Sequence, residues 1–233
     1  MPSTETASDA THASVRKFDP GIDARPGATE RIRRGPSRNP ELEFAIGDIT
    51  QEVCDAIVNP AGAGLVDLAV RRGAGPDLLD ALHLKALSLP GGKLSAGRAV
   101  LTPGFALRAA HVIHCGPPVY ADDPLKARDD LAACHAEALR LAREAGLDSV
   151  SFPAIGTGVY RYPAAEAAEV AVGTVIATLR GRPNPGLVRF VFRDHAVLKL
   201  YFEVARAHLN QPRGRQIVLT APRGVRPPGL ASG

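Results

Sequence analysis

The segment from Val150 to Pro163 constrains this chain more than any other. It reads Val150-Ser151-Phe152-Pro153-Ala154-Ile155-Gly156-Thr157-Gly158-Val159-Tyr160-Arg161-Tyr162-Pro163. An apolar run with the pattern of a buried strand breaks at two glycines. Pro163 then opens an alanine-rich helical stripe carried by Ala168, Val172, Val175, Ile176 and Leu179. Strand, glycine loop and helix start in that order make a βα unit, and they can also make an anion site. Glycines let backbone N–H groups approach a phosphate, and a helix N-terminus favours negative charge. Many α/β connections contain glycine and bind nothing, so on these residues alone the two readings stand level.

The same alternation continues through the chain. Residues 42–46 alternate like a half-buried strand and stop at Gly47-Asp48, and residues 55–59 form a short apolar strand ending at Pro60. A helical pattern runs from about Asp67 to Lys85, with a break near Gly73-Ala74-Gly75-Pro76. Residues 98–102 and 110–115 read as two further strands. Leu131, Cys134, Ala138, Leu141 and Ala145 share one helix face, which Gly146 stops. Residues 187–192 complete the strands, and residues 195–209 form the last helix. Strands alternating with helices imply an α/β domain whose largely parallel sheet is covered on both faces. Ligands of such sheets bind at the carboxyl ends of the strands. Gly47-Asp48, Asn59-Pro60-Ala61-Gly62, Gly156-Thr157-Gly158 and Arg193-Asp194 would meet there.

The 233 residues, 45% hydrophobic and 22% charged, suit one domain with extensions. Residues 1–40 lack a sustained apolar period and read as a disordered leader, residues 41–210 as the folded domain, and residues 211–233 as a basic disordered tail. The net charge of +4 divides unevenly: +2 in the leader and +4 in the tail, leaving −2 for the domain. The tail can make weak contact with nucleic acid through phosphates, although a merely solvated tail is the plainer reading. The longest apolar runs are too short to cross a membrane, and the N-terminus lacks the features of a secretory signal. Cys54, Cys115 and Cys134 are widely spaced without a C-x-x-C pair, which argues against a disulfide framework or a thiolate zinc site. A monomer in a reducing cytoplasm is expected. His111 and His114 fall on opposite faces of one strand and cannot easily share an ion, so structural roles are expected and no metal or cofactor is. There is no nucleophile elbow, P-loop lysine motif or dinucleotide-binding glycine fingerprint.

Five stretches in order carry a family likeness. They are Gly47-Asp48-Ile49-Thr50; Val58-Asn59; Val66-Asp67 with Ala69, Arg72 and Ala74-Gly75; Val112-Ile113-His114-Cys115-Gly116-Pro117; and Phe152-Pro153-Ala154-Ile155-Gly156-Thr157-Gly158-Val159-Tyr160. In these the chain resembles a macrodomain, the ADP-ribose-binding module of the Appr-1″-p processing family, over roughly residues 41–210. The resemblance implies a three-layer α/β/α sandwich with a mixed, largely parallel central sheet. It implies as ligand ADP-ribose, free or attached to a macromolecule. Asp48 would accept a hydrogen bond from the adenine amino group, and Ile49 would line the adenine pocket; the alternative for Asp48 is a local turn cap. Phe192 would pack on the adenine, or else belong to the core. Asn59 falls in the loop that faces the ligand. Gly156, Thr157, Gly158 and Val159 would wrap the diphosphate, with Tyr160 against the distal ribose or simply capping the sheet edge.

The departures bear on catalysis. Hydrolytic members usually read Val-Asn-Ala-Ala-Asn where this chain has Val58-Asn59-Pro60-Ala61-Gly62, and they carry a longer glycine-rich loop before the aspartate. Asp67 keeps the position of a carboxylate that orients water beside the distal ribose, as a mono-ADP-ribosyl hydrolase requires. It is equally placed as a helix N-terminal aspartate. Losing the second asparagine would cost a hydrolase roughly ten- to a thousand-fold in rate.

Overall fold

A computed structural model describes residues 39–61, 68–182, 184–210 and 214–223. Along the chain run β1 (Glu41–Ile46), β2 (Ala56–Pro60), α1 (Leu68–Ala74), α2 (Asp77–Leu87), β3 (Ala99–Pro103) and β4 (His111–Cys115). They are followed by α3 (Pro124–Glu144), β5 (Ser149–Phe152), α4 (Ala164–Gly181), β6 (Leu187–Phe192), α5 (His195–Leu209) and β7 (Val218–Leu219). The strands lie in the order β3-β4-β2-β5-β6-β1-β7. Only the β3–β4 pair is antiparallel among the paired strands described. The fold is thus the expected mixed, largely parallel sheet in an α/β/α sandwich.

Period-two alternation sorts each strand between two helix layers. Leu42 and Phe44 of β1, Ala56 and Val58 of β2, Val150 and Phe152 of β5, and Val188, Phe190 and Phe192 of β6 join the large core under α3, α4 and α5. Ile57 and Val112 point the other way, into a smaller cluster with Val70, Ala74, Leu78 and Leu82 of α1 and α2. The helix starts follow local chemistry. Asp123 accepts from Lys126 N–H at 3.0 Å ahead of Pro124, and Asp194 accepts from Ala196 N–H at 2.6 Å and Val197 N–H at 3.2 Å. The expected break between α1 and α2 falls at Gly75, whose φ of +87° a side chain would resist. Among the described residues no helix is long and apolar enough to cross a membrane.

On the face of β1 and β6 opposite the large core, charges replace hydrocarbons. Glu43 is 2% exposed and its Oε2 receives Arg189 Nε at 2.8 Å and Nη2 at 2.7 Å, while Oε1 receives Arg223 Nη2 at 3.1 Å. Arg189 Nη1 also reaches Glu52 Oε2 at 2.5 Å, which accepts the Ser151 hydroxyl at 3.1 Å. Such a buried network is tolerable because its members satisfy one another.

The expectation of a disordered tail beyond residue 210 is corrected for residues 214–223. Val218 N–H donates to Pro40 O at 2.9 Å, Thr220 N–H to Leu42 O at 3.1 Å and Arg223 N–H to Phe44 O at 2.9 Å; Ile46 N–H returns a bond to Arg223 O at 3.1 Å. The segment is held by pairing to β1, by burial of Ile217 and by the Arg223–Glu43 ion pair. Residues 1–38 and 224–233, the remainder of the expected leader and tail, lie outside the described residues, as do 211–213.

Candidate functional site

The parallel strands bring the carboxyl ends of β1, β2, β5 and β6 to one edge of the sheet. After β1, Asp48 caps a short 3-10 turn, Ile49–Gln51. Its Oδ1 accepts Thr50 N–H at 2.9 Å and Thr50 Oγ1–H at 2.8 Å, and its Oδ2 receives Arg193 Nη2 at 3.0 Å from the end of β6. The Thr50 backbone N–H and hydroxyl, assisted by Arg193, hold its carboxyl below the usual range, so it is ionised at neutral pH. Asp48 is therefore a local cap through one oxygen and an outward-facing acceptor through the other. Ile49 is half-buried against the α1–α2 cluster.

At the end of β2, Asn59 is fully buried. Its Nδ2 lies 3.0 Å from His114 Nδ1, and His114 Nε2 lies 3.0 Å from Thr102 Oγ1. An amide N–H can only donate, so His114 accepts at Nδ1 and carries its proton on Nε2, facing Thr102. Burial lowers the His114 pKa to about 3, which keeps the ring neutral. Asn59 Oδ1 is buried with no hydrogen-bond partner. Asn59 thus lies at the end of the strand that leads into the loop after β2, with its amide nitrogen turned to His114. His111 instead uses Nδ1 on Asp55 O at 3.2 Å, away from His114.

β5 runs into the glycine loop. Gly156 has φ +82°, and a Cβ there would stand 3.3 Å from Tyr162 Cβ. Thr157 folds back on Ala154 O through Oγ1 at 3.0 Å, and Arg161 N–H closes on Gly158 O at 2.9 Å with its own φ at +54°. Between those closures, the N–H groups of Gly158, Val159 and Tyr160 make no backbone hydrogen bond among the described residues. Gly158 is exposed, Val159 is 87% exposed and Tyr160 is half-buried. Successive free N–H groups ahead of a helix form a concavity suited to an anion. The loop rests on Tyr162, which is buried with its ring 4.7 Å from that of Tyr120, whose hydroxyl donates to Glu166 at 3.0 and 3.1 Å.

Phe192 ends β6 and packs within the large core. It is 3% exposed, and its ring lies 4.8 Å from Tyr201 and 6.2 Å from Phe190. Asp67 and the shortened loop from Gly62 lie outside the described residues; α1 begins at the residue after Asp67. Sequence reasoning placed Arg193 at a strand end but gave it no part in the site. Its place beside Asp48 follows from the β1–β6 register, in which Ile46 pairs with Phe192, and no local sequence signal marks it. Thr102 was missed as the partner that fixes His114.

Residues 56–171 match the model of the Macro domain family. The chain is 42% identical over 176 residues to O-acetyl-ADP-ribose deacetylase of Salmonella typhimurium, a match covering 73% of this chain and 97% of that protein. It is 41% identical over 167 residues to the enzyme of the same name from an Enterobacter species, covering 70% and 92%. Among solved structures, the Oceanobacillus iheyensis macrodomain with ADP superposes with a TM-score of 0.69 at 36% identity, covering 75% of this chain and 95% of that one. The Trypanosoma brucei macrodomain in complex with ADP-ribose gives 0.59 at 30% identity, covering 69% and 67%. With its fold, its strand-end loops and these relatives in agreement, the chain belongs to the macro domain family.

Proposed function

We propose that this protein binds ADP-ribose, free or attached to a macromolecule, across the carboxyl edge of its sheet. The observation that carries the proposal is the run of free N–H groups at Gly158, Val159 and Tyr160, set on an exposed loop ahead of α4. Gly156, Thr157, Gly158 and Val159 wrap the diphosphate, and Tyr160 lies against the distal ribose. Asp48 Oδ2 accepts the adenine amino group beside Ile49. Asn59 acts through position, by holding the end of β2 against His114. Relatives that carry the name O-acetyl-ADP-ribose deacetylase, and a solved macrodomain holding ADP-ribose, support this ligand. The setting proposed is a monomer in a reducing cytoplasm, where Cys115 and Cys134 are buried free thiols. The basic tail adds at most weak nucleic-acid contact, because Arg223 is already engaged by Glu43.

Calorimetric titration with ADP-ribose tests the proposal. Binding at micromolar concentration is expected, and no heat at millimolar ligand would sink it. Gly158→Glu sharpens the test, because a Cβ at Gly158 meets nothing within 4 Å and the fold accommodates the change. The new carboxylate would occupy the diphosphate position and abolish binding.

The names of the relatives also favour a second reading, hydrolytic release of a group from the distal ribose with Asp67 orienting water. Turnover of an ADP-ribosylated or O-acetylated substrate should then fall on Asp67→Ala. Equal rates, or no release by either form, would leave binding alone.

A further inference from the structure

The carboxylate of Asp48 does not stand alone at the end of β1. β1 and β6 are parallel neighbours, paired from Glu41 with Leu187 to Ile46 with Phe192, which brings the loops after both strands together. Asp48 Oδ1 is filled by the two Thr50 donors at 2.9 and 2.8 Å, so only Oδ2 is directed outward, and there Arg193 Nη2 sits at 3.0 Å. The two side chains are 42% and 73% exposed. The other nitrogens of Arg193 make no hydrogen bond among the described residues.

We propose that Asp48 and Arg193 together read the six-position edge of a purine, so that the site takes 6-oxopurine nucleotides as well as adenine ones. This rests on the ADP-ribose reading above. A lone carboxylate offers only acceptors, which match the amino group of adenine and repel a 6-oxo group. The ion pair instead places an acceptor, Oδ2, next to the N–H donors of a planar guanidinium. Adenine presents a donor at N6 and an acceptor at N1. Hypoxanthine and guanine present an acceptor at O6 and a donor at N1. An acceptor and a donor side by side match either edge: N6–H to Asp48 with N1 on Arg193, or N1–H to Asp48 with O6 on Arg193. An ion pair this exposed is weak, so opening it to admit a base costs little.

The test is titration of the full chain with ADP-ribose and with inosine diphosphate ribose, which differ only in the six-substituent of the base and the N1 proton that goes with it. The wild type should bind the two within about tenfold of each other. Arg193→Ala should weaken both, and the inosine form at least about tenfold more, because the strongly negative carbonyl O6 then loses its only donor and is left beside the Asp48 carboxylate with no cation to offset it, whereas adenine loses only the weaker N1 contact. The exposure of Arg193 keeps the variant folded, and a thermal melt checks this. The inference is overturned if the wild type prefers ADP-ribose by about a hundredfold or more, or if Arg193→Ala weakens both ligands by the same factor. Absence of binding by either ligand would overturn the ADP-ribose reading itself, an outcome distinct from tight binding of ADP-ribose alone.

Discussion

Lowering the pH from 7 to 5 should remove about 4 kcal/mol from the stability of this fold, through two buried histidines. His114 and His135 are fully buried, and burial lowers their pKa values from 6.5 to about 3 and about 4. A base with a folded pKa below its unfolded one stabilises while neutral. Its contribution is complete above the unfolded value and is lost as pH falls from 6.5 toward the folded one, because the unfolded chain takes up the proton first. One pKa unit is worth about 1.4 kcal/mol, so the step from pH 7 to pH 5 removes about 2 kcal/mol per histidine. Together that is a large share of the roughly 5–15 kcal/mol that holds a typical domain.

Urea denaturation at several pH values between 7 and 5 measures the slope, which near pH 5 should approach two protons taken up per molecule unfolded. His135→Phe separates the two sites. The ring of His135 lies 5.2 Å from Phe152 in a stack, its Nδ1–H reaches Leu131 O at 2.8 Å, and its Nε2 is buried without a partner. A phenyl ring suits that stack and removes the unpaired nitrogen, so the variant should fold and lose half the pH dependence. A wild type whose stability is flat between pH 7 and 5, or a variant with the wild-type slope, would refute the reasoning.

Gly156→Ala should cost about 1–2 kcal/mol in a thermal melt, because φ +82° is left-handed, and it should weaken ADP-ribose binding in calorimetry by shifting the loop. Arg189→Ala leaves Glu43, only 2% exposed, with Arg223 as its remaining cation, and urea denaturation should show a loss of about 3–5 kcal/mol. Truncation after residue 210 removes the bond from Ile46 N–H to Arg223 O, so hydrogen exchange should show Ile46 losing protection while the β1 amides that face β6 keep theirs.

The glycine loop was legible because its determinants are local. Gly156 needs a positive φ, Pro163 sets the helix start, and the stripe from Ala168 to Leu179 fixes the buried face of α4. The pieces that escaped were made by distant pairing. Val218 and Leu219 sit among Arg, Gly and Pro and become a strand only because β1 offers an edge; β propensity expresses such context more than intrinsic preference. Glu43 and Arg189 look like a solvent face in alternating strands, yet each buries the other from 146 residues away. The contact of the Asn59 amide with His114 likewise crosses the β2–β4 ladder, 55 residues along the chain. The pair of Asp48 with Arg193 likewise needed the β1–β6 register, which no local pattern encodes.

That register also shapes how the chain is made. Among the described strands β1 leaves the ribosome first, but its partners are β6, pairing Glu41 with Leu187, and β7, pairing Glu41 with Val218. At about 5–20 residues per second, β1 waits roughly 7 to 30 seconds for β6 to emerge, longer still for β7. Throughout that interval Leu42 and Phe44 have no sheet to join, while β2, β4 and β5 can already assemble. The nascent chain therefore carries an unpaired apolar strand while the residues between β1 and β6 are made, and the loop bearing Asp48 takes its place only after β6 is out.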